Sequence, residues 1–463
     1  MKRQRSGQDL IPSATIDICE AGVRAHNADH ICRIGRDLMI NIERLSRYCL
    51  VDLQPLEDDL LLVAGAVAFA DRVVARRSSI AWSRNLHVAI PVHEPDRWKE
   101  RSLYRNLIST LDYVTGDNWE FSFKRRQHRT EIKPQARLAM PNEASLVMPF
   151  SDGLDSFAVA RLINAEHPNT PLILVTTGNH KNRALDLSNS ELNRLLYRVA
   201  IPFTLSCRHR NVRFRESSYR SRAFVFGIVA GIAAHQLGAN QIHVAESGQG
   251  SLGPWLTPVG NEAPDVRMHP SFTSRLSSFL NHIFGTSLSH VHPRLWQTKG
   301  ETLRELKRLG LADQWWLTSS CARDQRYVSL DNRKIQCGVC AGCLLRRQSL
   351  LAAELRNDSD RYLWSDLHAS QLREAVTSRD TTQNDEHQAL CAALEMQQFG
   401  QIASDSSKIS IAAEELSPFL NQDANAVAGQ LKRLIAAHAA EWQMFRSSIG
   451  PQSFINQWLD ILK

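Results

Sequence analysis

The feature of this sequence that most constrains its fold is an alternation of strand-like and helix-like runs between residues 141 and 350. The predicted strands cover residues 145–150, 171–176, 203–206 and 241–245, and the predicted helices cover 157–165, 188–199 and 223–237. Strands that alternate with helices form a parallel sheet, because each helix returns the chain to the edge where the next strand starts. We therefore expect an α/β domain over residues 141–350, with ligands at the carboxyl ends of its strands.

The flanking regions have different patterns, and a chain of 463 residues is long enough for two or three domains. Residues 1–140 combine strand patterns at 85–92 and 119–123 with helical spacing at 98–113, which predicts a small N-terminal α+β domain. Residues 351–463 predict a helical C-terminal extension, in which the polar stretch 377–386 is expected to be a mobile connection. The extension either caps the sheet or offers a surface to a partner.

The composition is that of a globular protein, with 43% hydrophobic and 22% charged residues. No apolar run follows the basic N-terminus, and the runs 60–70 and 223–234 are too short to cross a bilayer. We therefore expect a cytoplasmic protein with no membrane segment. The net charge of +7 suits a polyanionic ligand such as ATP or nucleic acid. Because the basic residues are scattered, direct binding of nucleic acid stays open.

A candidate phosphate-binding loop follows the first predicted strand of the α/β domain and leads directly into a helix. A glycine there lets backbone N–H groups approach phosphate oxygens, serine hydroxyls add donors, and the start of the helix carries a partial positive charge. Its aspartate at position 155 would cap the helix or help to hold a magnesium ion. The alternative is an ordinary helix cap after a strand. The residues expected to bind ATP are Phe150, Ser151, Asp152, Gly153, Leu154, Asp155 and Ser156.

Four of the nine cysteines lie close together in the sequence, at Cys321, Cys337, Cys340 and Cys343. Three cysteines at spacings of three residues, preceded by a fourth, suit tetrahedral zinc. Four protein ligands leave no open position, which predicts a structural ion. An iron–sulfur cluster is the chemical alternative, since it uses similar spacing. An odd number of cysteines in a chain without a secretory signal argues against a disulfide framework.

The loop and the cysteine cluster, in this order, resemble the 7-cyano-7-deazaguanine synthase (QueC) family over residues 145–350. Segments 221–223 and 298–301 are similar to that family as well. The resemblance implies a PP-loop (HUP-like) fold that binds ATP and Mg²⁺ and adenylates 7-carboxy-7-deazaguanine, releasing pyrophosphate before an amide and then a nitrile form. It also implies that the four cysteines hold Zn²⁺. Arg222 and Lys299 would stabilise the charge that develops on pyrophosphate or adenylate, although each could instead belong to a surface ion pair.

The chain departs from the family in three respects. Asp152 replaces the first glycine of the Ser-Gly-Gly-x-Asp-Ser loop, residues 263–267 replace a Tyr-Pro-Asp-Cys stretch near the substrate, and both ends are extended. The extensions resemble the longer QueC-like proteins of bacterial antiviral operons, including the QatC type, which implies a protein partner from the same operon. The acceptor amine then belongs to ammonia or to that partner. Two rival functions are a PP-loop adenylase that modifies nucleic acid and, because of Asp152, a non-catalytic nucleotide-binding scaffold.

Overall fold

The computed structural model describes residues 11–42, 53–77, 81–127, 145–177, 196–201, 203–205, 214–258, 260, 262–321, 323, 328–330, 333–376 and 380–461. The strands in these ranges are β1 (Ser13–Cys19), β2 (His30–Arg33), β3 (Leu38–Ile40), β4 (Asn85–Val92), β5 (Asn118–Arg125), β6 (Leu146–Pro149), β7 (Leu172–Thr176), β8 (Leu196–Ala200), β9 (Phe203–Leu205), β10 (Gln241–His243), β11 (Ser289–Val291), β12 (Ser329–Leu330) and β13 (Arg333–Lys334). The α-helices are α1 (Pro55–Val73), α2 (Pro95–Trp98), α3 (Arg101–Thr115), α4 (Leu154–Glu166), α5 (Arg222–Leu237), α6 (Gly248–Leu256), α7 (Pro270–Phe284), α8 (Lys299–Arg308), α9 (Ala341–Ala352), α10 (Gln383–Gln401), α11 (Ser406–Leu420), α12 (Ala424–Ile449) and α13 (Phe454–Ile461).

The N-terminal region contains a four-stranded sheet in the order β2-β1-β4-β5, and every described pairing in it is parallel. The expectation of an α+β domain is therefore wrong for this region. The physical reason is that α1 lies between β1 and β4 in the chain and α3 lies between β4 and β5, and such crossovers produce parallel neighbours. Alternation along the strands places Ile16, Val88 and Phe121 in the core.

The central sheet has the order β11-β10-β6-β7-β8 and is parallel throughout its described pairings, which confirms the α/β prediction. Its apolar side chains divide between two cores, one shared with α5 and α7 and the other with α4, α8 and α9. Helices thus cover both faces, as a parallel sheet requires.

Two predicted elements of this domain differ from the structure. The predicted helix 188–199 ends in β8, the edge strand of the sheet, and residues 188–195 lie outside the described residues. The predicted strand 203–206 becomes β9, which pairs antiparallel with β3 of the N-terminal region instead of joining the central sheet. Short apolar runs fit helix and strand equally well, so tertiary pairing decides between them.

Neither end of the chain packs as a separate body. The largest core combines Leu61 and Val88 from the N-terminal region with Val147 and Phe224 from the central domain, across the expected boundary near residue 140. The helices α10 to α12 share a core with α6, and a further core joins them to the cysteine cluster. The C-terminal helices therefore cap the central domain.

The expected connection at 377–386 is shorter than the sequence predicts. Thr382 caps α10, and its side chain and that of Asp385 exchange hydrogen bonds with each other's backbone N–H groups, so residues 383–386 are already helical. Residues 377–379 of the predicted connection lie outside the described residues. Within the ranges that the structure covers, no helix is both long and apolar enough to cross a membrane. The apolar run 60–70 lies in α1 and is buried in the core.

Candidate active site and metal centre

The candidate site lies where the chain leaves two neighbouring strands of the central sheet in opposite directions. From β6 the chain continues through α4 to β7, and from β10 it continues through α6 and α7 to β11 on the other side. In open α/β sheets a crevice forms at such a point, outside the carboxyl ends of the strands, and ligands bind there. Residues 150–153 and 244–247 follow the carboxyl ends of β6 and β10 at this point.

The loop after β6 gathers hydroxyl groups at the start of α4. The Oγ atoms of Ser151 and Ser156 are 3.0 Å apart, and the backbone N–H of Ser151 donates to Ser156 Oγ over 3.3 Å. Gly153 is the N-cap residue with φ −83° and ψ 160°, and it has no side chain with which to cap the helix. The expectation that Asp155 caps α4 is therefore wrong. The start of the helix carries a partial positive charge, which favours an anion beside it.

A side chain at position 153 would crowd the loop slightly, although the φ of Gly153 is one that any residue adopts. A Cβ atom added there would lie 3.1 Å from Ser151 Oγ and 3.7 Å from the carbonyl oxygen of Ser319. The same neighbour anchors the loop, because the N–H of Ser319 donates to the carbonyl oxygen of Asp152 over 2.8 Å. The loop is thus bonded to the segment that leads to Cys321.

Arg198 of β8 neutralises the unexpected carboxylate of the loop. Its NH2 group lies 2.9 Å from Asp152 Oδ1, and its guanidinium group lies 5.4 Å from the centre of the Phe150 ring. The side chain of Asp152 is 9% exposed. Asp152 therefore does not present an unpaired negative charge to a phosphate group.

Lys299, at the start of α8, reaches the loop from the opposite side. Its Nζ atom lies 2.7 Å from Asp155 Oδ2, and the side chain is 6% exposed. Burial disfavours the ammonium ion, but the charges of Asp155 and Glu246 outweigh that effect and raise the pKa of Lys299 above its usual value. The structure thus brings two of the predicted residues together, Asp155 and Lys299.

Glu246 is a site residue that the sequence analysis missed. It follows β10, and its carboxyl group interacts with that of Asp155. Burial, followed by the charge of Asp155, raises the pKa of Glu246 above its usual value. Glu246 is half-buried, so part of the residue can still be reached by solvent. Its position after a predicted strand was the signal that could have found it.

The contacts described for Arg222 include none with the loop. It lies in the first turn of α5, is exposed, and has its guanidinium group 5.2 Å from the ring of Phe226. The start of α5 is fixed by the N-terminal region, because the N–H of Ser221 donates to Asp71 Oδ2 over 2.9 Å. The structure therefore does not join Arg222 to the pair formed by Asp155 and Lys299.

The four predicted cysteines come together in one cluster. One sulfur atom from each of Cys321, Cys337, Cys340 and Cys343 lies within 4.8 Å of all the others. The Sγ atoms of Cys337 and Cys343 are 3.7 Å apart. Ligands at about 2.3 Å from a tetrahedral ion would be about 3.8 Å apart. Four thiols at this spacing are a donor set that fits one metal ion.

The fold shapes the cluster through two glycines and one long-range hydrogen bond. Gly338 has φ +93°, and a Cβ atom on Gly342 would lie 2.5 Å from the carbonyl oxygen of Ser320. The N–H of Trp364 donates to the carbonyl oxygen of Cys337 over 2.9 Å. The cluster therefore links the segment that anchors the loop to the C-terminal core.

Searches against protein-family models and curated proteins returned no match to this chain. The fold and the site therefore define a class of protein by themselves. It is an α/β protein with two parallel sheets, polar side chains after the carboxyl ends of two strands of the central sheet, and a four-cysteine cluster able to bind a metal ion.

Proposed function

We propose that this protein is a QueC-like PP-loop enzyme that uses ATP to adenylate the carboxylate of a 7-carboxy-7-deazaguanine-type substrate and releases pyrophosphate. The observation that carries the proposal is the placement of the loop 150–156. It runs from the end of β6 into the first turn of α4, and two hydroxyl groups, the helix start and the ammonium group of Lys299 meet there. This is the combination of donors and positive charge that a triphosphate needs.

In the proposed reaction a carboxylate oxygen of the substrate attacks the α-phosphorus of ATP, and the bond to the bridging oxygen of the β-phosphate breaks. Ser151, Ser156 and the N–H groups at the start of α4 would hold phosphate oxygens. Lys299 would stabilise the negative charge that grows on the leaving pyrophosphate. A part for Arg222 in this step stays a prediction from the sequence. Asp155 would hold a Mg²⁺ ion, whose charge neutralises phosphate oxygens when ATP is bound.

The cysteine cluster supports a structural zinc ion in this proposal. All four thiols point to one small volume, whereas an iron–sulfur cluster spreads its ligands over several iron atoms. Bound zinc would stabilise the segment that anchors the loop. The adenylate would then react with ammonia, or with an amine of a protein partner from the same operon in an antiviral role in the cytoplasm.

The test is release of AMP and pyrophosphate from ATP by the purified protein, with and without 7-carboxy-7-deazaguanine. We expect release that depends on the acid and that is lost in Ser156→Ala. A mass increase on a co-expressed neighbouring protein would identify the acceptor, and modification of added tRNA would favour the nucleic-acid alternative. Tight ATP binding without AMP release would overturn the enzyme proposal in favour of a scaffold.

A further inference from the structure

The longest C-terminal helix, α12, contacts the first turns of two helices, α6, which follows Glu246, and α8, which begins with Lys299. Its contacts with these turns come from one face, formed by Arg433, Leu434, His438 and Glu441. These positions repeat at helical spacing, which places them side by side. A single helix of the C-terminal extension thus contacts the starts of both α6 and α8.

The first set of contacts fixes the start of α8. Glu441 Oε1 accepts a hydrogen bond from Thr298 Oγ1 over 2.7 Å, and Thr298 is the N-cap residue immediately before Lys299. A Cβ atom on Gly300 would displace this carboxylate and would lie 2.9 Å from Ala352 Cβ, so a larger residue at position 300 would disturb the contact. Arg433 pairs with Glu301, with NH1 2.6 Å from Oε1, and the second Glu301 oxygen accepts from the N–H of Thr298.

The second set of contacts forms a chain of hydrogen bonds that ends on Lys299 itself. The N–H of Lys299 donates to Gln249 Oε1 over 2.7 Å, and Gln249 Nε2 lies 2.8 Å from His438 Nδ1. His438 Nε2 lies 2.8 Å from the carbonyl oxygen of Met396 in α10. Because that carbonyl only accepts, Nε2 carries the proton and Nδ1 accepts from Gln249. Both ends of the Gln249 amide are therefore engaged.

We infer that α12 braces the active site, with His438, Gln249 and Glu441 as positioning residues that hold Lys299 against the phosphate-binding loop. The inference rests on the proposed function, and it assigns to the C-terminal extension a part in catalysis beyond covering the sheet. A lysine ammonium group lies at the end of four rotatable bonds, so its backbone must be fixed if the charge is to meet a developing anion. Misplacement by about 1 Å can cost about a hundredfold in rate.

The first test measures the position of Lys299 without any turnover. Gln249→Leu removes both hydrogen bonds at nearly constant volume, and the rate at which Lys299 reacts with a lysine-acylating reagent is followed by mass spectrometry. We expect faster labelling of Lys299 in this variant. The matched control is Gln397→Leu, because Gln397 bonds to Trp442 in the same helical layer without touching the start of α8. Equal labelling in Gln249→Leu, Gln397→Leu and the parent protein would overturn the inference.

The second test separates positioning from general damage. We expect Gln249→Leu to lower kcat at least tenfold with little change in the KM for ATP. The control Gln397→Leu should change neither kcat nor KM. If Gln249 acts through Lys299, Gln249→Leu should cost almost nothing further in a Lys299→Gln background. Multiplying losses in the double variant would contradict the inference. Absence of turnover in the parent protein would defeat the proposed function, while the labelling test would still decide the role of Gln249.

Discussion

The guanidinium group of Arg198 lies 2.9 Å from the carboxylate of Asp152, so the residue that departs from the PP-loop pattern has a cation of its own. Arg198 belongs to the edge strand of the central sheet, two strands away from the loop. The pairing neutralises the negative charge that Asp152 adds to the loop. If the loop binds ATP as proposed, Arg198 would keep Asp152 from repelling the phosphate groups.

Removing Arg198 should impair nucleotide binding because Asp152 would then repel the phosphate groups. We expect Arg198→Ala to raise the Kd for ATP about tenfold, or ~1.4 kcal/mol. The double variant Asp152→Gly/Arg198→Ala should return to within about threefold of the parent protein, since the pair is removed together. Isothermal titration calorimetry measures both values. An Arg198→Ala variant that binds ATP as well as the parent protein would show that the pair has no such role.

Lys299 should contribute to the rate more than to substrate binding. We expect Lys299→Gln to lower kcat by about 10²–10³, the usual loss when one group that stabilises transition-state charge is removed. Steady-state release of pyrophosphate is the measurement. Lys307→Gln is the matched control, because Lys307 lies on the same helix and its side chain is 44% exposed. Equal rates in the two variants would remove Lys299 from the proposed mechanism.

The four cysteines should bind one metal ion per chain. We expect purified protein to contain about one equivalent of zinc and Cys340→Ser to lose most of it, because a tetrahedral site needs all four ligands. Its thermal midpoint should also fall, since the cluster belongs to the C-terminal core. Cys391→Ser, outside the cluster, should keep the metal. Elemental analysis decides the identity, and iron with labile sulfide would contradict the zinc assignment.

Stability should decrease as the pH falls below about 6.5, the ordinary pKa of histidine. Burial lowers the pKa of His269 to about 3 and that of His438 to about 4. Between these pKa values and about pH 6.5 the histidines are protonated in the unfolded chain but neutral in the native state. Their contribution to the free energy of unfolding is therefore complete above about pH 6.5 and is lost as the pH falls toward 4. Each such site contributes up to about 1.4 kcal/mol per pH unit. Urea midpoints between pH 7.5 and 5 measure the slope.

His269→Asn is the informative variant for this slope. The Nδ1 atom of His269 accepts from the N–H of Ser271 at the start of α7, and asparagine can supply the same cap. The variant should therefore keep the helix start and make the pH dependence shallower. The exposed His87→Gln should leave the slope unchanged. A slope identical in the parent protein and His269→Asn would contradict the assignment.

The sequence predicts those parts of the site that depend on local composition. The cysteine spacing and the residues 150–156 identify the cluster and the loop, and the alternation of runs predicts the parallel central sheet. Thr298 and Glu301 form the reciprocal cap that the segment 298–301 favours. Each of these features depends on residues that lie close together in the sequence.

The sequence cannot predict features that depend on residues far apart in the chain. Arg198 lies 46 residues from Asp152, and Gln249 lies 50 residues from Lys299. Neither partner has a local pattern that marks it. The parallel N-terminal sheet was missed for a similar reason, since the pairing of β1 with β4 depends on the helix between them and on no turn motif.

The pairing of β3 with β9 has a consequence for how this protein can be altered. Leu38 to Ile40 and Phe203 to Leu205 close one backbone ladder from two distant parts of the chain, beside a core that both parts fill. A cut near residue 140 would leave each fragment with an unpaired strand edge and a bare apolar face. The two fragments would then be complementary halves of one folding unit. Co-expressed fragments should reassemble, whereas removal of either half should leave the other unable to fold.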